Sequence, residues 1–237
     1  MRTLDELTDV ADPAWPELQA WIEAGSVPVE VLPPDPAEAH RSLLQMQVTA
    51  RSTLGAVALR TGGLLLDGGW LRVFGGGKVL PSLARANAFP ETFEPAWYPA
   101  TGLVVAHDVL GGVFALNGAH PAAAGRPGEP GEMTYFAPDT LAWESLGTGH
   151  SGWLAWLLDG GTEEFYTGLR WPGWREEAAA LTLAQGITVY PPLWSVEARA
   201  DLAATSRSPV PMREVLGFAA DTAGQLGPAH PGFLGEV

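Results

Sequence analysis

Several stretches of the chain carry residue types that could do chemistry, and their spacing sorts them. Gly75-Gly76-Gly77-Lys78 has the glycines and lysine of a phosphate-cradling loop, but Val79 stands where that loop needs a serine or threonine for magnesium. Gly149-His150-Ser151-Gly152-Trp153 approaches the nucleophile elbow of hydrolases. A tryptophan replaces its last glycine, however, and the strained turn has no room for an indole. Ser151 therefore reads as a helix cap. The five histidines, at 40, 107, 120, 150 and 230, lack the paired spacing by which one helix presents two metal ligands, so no metal is expected, and no cofactor. His107 beside Asp108 could make an oriented base, but a strand sends adjacent side chains to opposite faces, and a structural histidine is the expectation.

Two constellations remain. Asp139 and Glu144 lie five positions apart around a turn at Pro138, next to Trp143, and paired carboxylates beside an aromatic ring are the equipment of sugar hydrolysis. Among 27 acidic residues such a pair also arises on any solvated surface. Arg170-Trp171-Pro172-Gly173-Trp174-Arg175 sets two arginines around two indoles across a proline turn, a combination suited to stacking and to carboxylate recognition. The same residues could instead staple two helices while the arginines neutralise Glu163, Glu164 or Glu176. With Trp70, these segments make Trp70, Asp139, Trp143, Arg170, Trp171, Trp174 and Arg175 the candidate binding residues. Six of the ten tryptophans fall between Gly111 and Ser195, a density that indicates a specified core or a contact surface.

Composition narrows the classes. A chain of 237 residues with 46% apolar content can bury a substantial core. The formal charge of -14 repels phosphate backbones and anionic lipid, so nucleic acid and membrane are not expected partners. No cysteine is present, which excludes disulfides and thiolate chemistry and suits a reducing compartment. The acidic opening does not read as a secretory signal, and no apolar run reaches the roughly 20 residues of a membrane span. A cytoplasmic protein is the expectation.

The elements that must position these residues follow from pattern. Asp12-Pro13 predicts a helix through Trp21 that Gly25 stops; Asp35-Pro36 with Glu38 predicts a second; Ser52 or Thr53 caps a third. Strands are expected at 27–32, 64–66, 70–74, 103–106, 113–116, 133–136 and 187–190. From Gly75 to Ala100, glycine and proline predict a long surface loop. Ser151, Thr162 and Pro172 open three helices, the last ended by Gly186; another covers Met212 to about Gln225, and His230 to Val237 reads as a loose end. The layout is that of an α+β domain with one mainly antiparallel sheet flanked by helices. Residues 1–195 form this domain, and 196–237 a helical C-terminal extension packed on it.

The segments TGGLLLDGGWLRVFG, GGVFALNG, YFAPDTLAWESLG, LRWPGWR and QGITVYPPLWS resemble the bacterial family called domain of unknown function 2625, over nearly the whole chain. More remotely, the order of glycine and aromatic patterns at Thr61-Gly62-Gly63, Gly112 to Leu116 and Gly131 to Trp143 resembles the SUKH superfamily. That resemblance implies a protein-binding module of the cell-wall regulator or toxin-immunity kind. The expected function is non-catalytic binding of a basic protein such as a toxin, with a homodimer as a further partner. The alternative is a small-molecule or sugar-acting enzyme whose pocket is lined by carboxylates.

Overall fold

The computed structural model describes residues 1–226 and 230–237. Its element order is α1 (Leu4–Thr8), α2 (Trp15–Ala24), β1 (Val29–Leu32), α3 (Pro36–Met46), α4 (Thr53–Arg60), β2 (Gly63–Leu66), β3 (Leu71–Phe74), α5 (Leu83–Ala86), β4 (Gly102–Asp108), β5 (Val113–Asn117), β6 (Met133–Ala137), β7 (Ala142–Ser145), α6 (His150–Trp156), α7 (Thr162–Phe165), α8 (Trp174–Ala179), β8 (Gln185–Tyr190), α9 (Val196–Ala200), β9 (Ser206–Pro211) and α10 (Met212–Leu226). Strands β1 to β7 form one antiparallel sheet in which each strand pairs with its neighbours in sequence, and β8 and β9 form a separate antiparallel pair. The fold is α+β, with helices on both sides of the chain's main sheet. Among the described residues, no helix is long and apolar enough to cross a membrane.

Register decides which side chains share a face, because residues directly opposite one another project the same way and neighbours along a strand alternate. Leu64, Leu66, Leu71, Val73, Phe114 and Tyr135 fall on one face. Aromatic side chains from α6 and α7 cover it: Trp153 lies 5.2 Å from Phe114 between ring centres, and Phe165 lies 4.8 Å from Tyr135. Leu65, Arg72, Phe74, His107, Phe136 and Trp143 fall on the other face. That side is covered by the segment around α5, where the Asn87 amide bonds the Val104 backbone in both directions, and by the final residues 230–237.

Where sequence and structure differ, local hydrogen bonding explains the difference. The opening Thr3-Leu4-Asp5-Glu6 is a capping box that starts α1. The expected cap at Asp12 is displaced to Ala14, and Pro16 rather than Pro13 takes the first turn of α2. Ser151 is not a cap. Gly149 holds that position, and the Ser151 hydroxyl bonds Thr53 at 2.9 Å. The helix expected from Pro172 begins only at Trp174, after Gly173 turns with positive φ, and ends at Ala179; Gly186 lies inside β8. The stretch from Gly75 to Ala100 is a surface loop only in part: Leu80, Leu83, Ala84, Ala86 and Phe89 join the core, while residues 91–96 are exposed and form neither helix nor strand. Strand β9 pairs with β8 across residue 195. The 230–237 end is docked, with Leu234 buried.

Phe114 is fully buried among Trp153, Tyr135 and Phe165. Phe114→Ala is expected to cost about 3–5 kcal/mol in urea unfolding, because the removed ring leaves a cavity. Thr3→Ala, which loses only one capping bond, should cost about 1 kcal/mol in the same measurement.

Candidate functional site

The tryptophan cluster indicated by the sequence is built around Trp70. Trp70 packs against Tyr166, Trp171 and Trp174 with ring centres 5.0 to 5.7 Å apart. The Arg170 guanidinium sits 3.9 Å above the Trp174 ring and is paired with Asp67, which also accepts from the Thr162 hydroxyl at 2.9 Å. Arg175 covers the other contact of Trp174 at 4.3 Å and pairs with Glu163. The structure therefore brings Trp70, Arg170, Trp171, Trp174 and Arg175 together. It does so inside the protein: the three indoles are buried, and the Arg170 and Asp67 side chains are 6% and 3% exposed. Arg175, 57% exposed, is the member that faces solvent. Trp143 lies elsewhere, under Arg126 at 4.6 Å, with its indole N–H donating to the Pro231 carbonyl. Asp139 is half-buried and accepts through its backbone carbonyl from Arg199, while Glu144 is exposed and accepts from Thr140.

A further cavity lies elsewhere. A cleft of about 740 Å³ opens between the start of α3, the segment from Gly77 to Glu91, the second face of the sheet and the residues Leu183 and Ala184. Neither Asp139 nor Glu144, the carboxylate pair singled out in the sequence, lines it. Four of the chain's 13 basic side chains do: Arg41, Arg72, Lys78 and Arg85. Four acids, Asp35, Glu38, Glu91 and Glu236, balance them locally in a chain of net charge -14.

Most of these charges have a structural partner. The Asp35 carboxylate caps α3 by accepting from the Ala37 and Glu38 amides. Glu38 accepts from the Ser82 hydroxyl and lies 3.3 Å from Arg41 and 3.4 Å from Arg85. Arg41 also reaches Glu91 at 3.2 Å. Lys78, the single lysine, is exposed, and it holds φ at 134°, a backbone conformation that costs energy for a residue with a Cβ.

Arg72 is different. Its alternation within β3 drives a guanidinium into the second face of the sheet, where it is 3% exposed. No carboxylate bonds it among the described residues. Instead Nε donates to the Gly69 carbonyl at 3.1 Å, and Nη1 donates to the carbonyls of Leu183 and Gln185 at 2.9 and 2.6 Å. A guanidinium has five N–H groups; three are used, and the remaining two both belong to Nη2. Burial lowers the Arg72 pKa to about 10, partly offset by Asp108, so the side chain stays cationic at neutral pH. Its register partner His107 is almost fully buried, and burial lowers its pKa to about 4. The neutral ring bonds the Leu234 carbonyl at 2.8 Å, and since a carbonyl only accepts, Nε2 carries the proton and Nδ1 is left as a bare acceptor.

Sequence reading missed Arg72 and assigned His107 only a generic role. The available signal was an arginine inside Leu71-Arg72-Val73-Phe74, a strand that is buried at all four positions. Among the described residues, no three metal-ligating side chains converge. Asp108 is fully buried and fully engaged: one oxygen accepts from the Leu110 and Gly112 amides, the other from the Tyr135 and Tyr166 hydroxyls. Burial raises its pKa, against the opposing pull of those four bonds.

Two predictions follow from these environments. Arg170→Ala strands the buried Asp67 carboxylate and should cost about 3–5 kcal/mol, whereas Arg175→Ala, at an exposed pair, should change stability by no more than about 1 kcal/mol. Thermal and urea unfolding of the two variants check this contrast. The second concerns pH. His107 and His150 both have pKa values lowered by burial to about 4 from the ordinary 6.5. Below about pH 6.5 the unfolded chain binds protons on these rings that the folded chain refuses until about pH 4. Stability present above pH 6.5 is thus lost through that window, at up to about 1.4 kcal/mol per pH unit for each ring. Asp108, with its pKa raised, acts in the opposite sense. Urea titrations from pH 7 to 4.5 should show a shallower decline for His150→Gln than for the native chain.

Comparison with known proteins places the chain. It is 41% identical over 205 residues to the uncharacterized protein YbfG of Escherichia coli (strain K12), covering 84% of this chain and 89% of that protein. It is 37% identical over 183 residues to an uncharacterized protein of Haemophilus influenzae, covering 76% and 78%. No solved structure matches. The SUKH likeness therefore rests on its short sequence patterns alone. The family described as protein of unknown function DUF2625 matches residues 4–215, and with that span and these relatives the chain belongs to that family.

Proposed function

We propose that this protein binds a small anionic molecule, a carboxylate or a phosphate, in the cleft above Arg72. One observation carries the reading: a desolvated guanidinium whose bonds go only to neutral carbonyls, with both remaining donors on one nitrogen, at a wall of the cleft of about 740 Å³. Buried charges are costly unless paired, and an anion from solution would supply the partner that the chain does not. The three carbonyls fix the direction of Nη2, so the ligand meets a preorganised cation rather than a flexible one. Lys78 and Arg85 on the rim would draw such a ligand in. This reading keeps the binding class expected from the sequence and changes the ligand from a basic protein to a small anion.

Isothermal calorimetry at low ionic strength with inorganic phosphate, pyrophosphate and citrate tests it. At least one of the three should bind, Arg72→Gln should weaken that binding at least tenfold, and Lys78→Ala should weaken it a few-fold and reduce its salt dependence. Because Arg72 also ties Gly69 to Leu183 and Gln185, circular dichroism must first show the variant folded, and Arg72→Lys should retain part of the affinity. A folded Arg72→Gln that binds as tightly as the native chain sinks the proposal, as does silence from all three anions.

A further inference from the structure

The docked end of the chain lies across the same cleft. Glu236 and Val237 line the cavity of about 740 Å³, and residues 232–237 line a second cavity of about 480 Å³ with Arg213, Leu216, Gly217 and Ala220 of α10. Glu236 and Val237 thus border open space in both cavities. The fastenings of this end are few and of one kind. His107, Arg126 and Trp143 each donate a side-chain N–H to a backbone carbonyl, of Leu234, Phe233 and Pro231 respectively, and the Glu236 amide donates to Ala86 at 2.9 Å. Pro231 and Leu234 are buried, while Phe233, Glu236 and Val237 are exposed. Gly232 and Gly235 hold φ at 75° and 100°, and a Cβ on Gly235 would meet His107 Nε2 at 2.9 Å.

We infer that residues 231–237 are a displaceable strap that opens and closes the cleft, a regulation that rests on the anion-binding reading of that site. In the closed arrangement the strap sets a carboxylate, Glu236, at the cleft wall and covers the His107 ring edge. Lifting breaks four hydrogen bonds, withdraws the buried Pro231 and Leu234 and uncovers the floor. Nothing in the main sheet has to unpair for this, since the strap belongs to neither sheet. Opening at a cost well below that of global unfolding is the behaviour of such a weakly fastened segment. The gate would control how fast an anion reaches Arg72, with little effect on what it meets there.

The cysteine-free chain permits a direct test. A Cβ built at Gly232 lies 3.6 Å from the Ala124 Cβ, within the range a disulfide spans, so Ala124→Cys with Gly232→Cys can lock the strap. In the reduced form, hydrogen exchange at the Glu236 amide should be at least tenfold faster than at the β4 amides. Oxidation should slow it at least tenfold with β4 unchanged. For an anion that binds, stopped-flow association and release should both slow at least tenfold on oxidation and recover on reduction. Gly235→Val, which pushes the strap off His107, should do the reverse and serves if the cysteine pair fails to fold. Glu236 exchanging as slowly as β4 overturns the strap, as do binding rates unchanged by the lock. If no anion binds either form, the anion reading fails while hydrogen exchange still judges the strap.

Discussion

A guanidinium held away from water without a carboxylate sets the terms for much of this structure. Arg72 sits where strand alternation forces it, on a face otherwise built of leucine and aromatic rings, and its solvation must be replaced by the chain itself. Three backbone carbonyls from two distant places do so, Gly69 beside β3 and Leu183 with Gln185 at the start of β8. The same bonds that solvate the charge therefore fasten the smaller sheet to the larger. Removal of the side chain would leave those carbonyls short of donors as well as deleting a cation, and all three bonds come from Nε and Nη1, with none from Nη2.

The tryptophan-rich half has a different logic. Its indoles meet edge-on around an arginine that is itself paired with Asp67, and the combination closes the corner between the 67–69 turn and α8. Cation–π contact from Arg170 to three rings supplies what water would have given the guanidinium, while the Asp67 pair and the Thr162 hydroxyl satisfy the carboxylate. Aromatic density here marks a desolvated polar knot with rings as its insulation. Two buried charges thus receive two kinds of shelter in one molecule: an ion pair within aromatic walls for Arg170, and neutral carbonyls at a cleft for Arg72.

Patterns confined to one element were legible in the sequence. The Asp35 cap with its proline, the Ser52 cap, strands β2 to β6 and the start of α10 all follow from short-range rules and appear as expected. The α+β class followed from their order. Features that depend on distant partners were not legible. Gly75 to Ala100 reads as a loop because glycine and proline dominate it, but Ser82 and Asn87 are drawn inward by Glu38 and Val104, 44 and 17 positions away in sequence. The final residues read as loose for the same reason: the donors that pin them, His107, Arg126 and Trp143, come from three separate parts of the sheet layer. Arg170 to Arg175 was recognised as a cluster, yet only its burial distinguishes packing from contact, and burial is a property of the whole fold.

Because every strand of the main sheet pairs with the one made just before it, the order of synthesis and the order of assembly coincide. All seven strands are encoded by residue 145, ahead of Trp153 and Phe165, whose rings pack on Phe114 and Tyr135. Phe114 and Tyr135 therefore wait for roughly 20 further residues, on the order of one to four seconds at about 5–20 per second, before those rings can pack on them. Encoding the two aromatics soon after β7 shortens the period in which that part of the sheet faces other nascent chains.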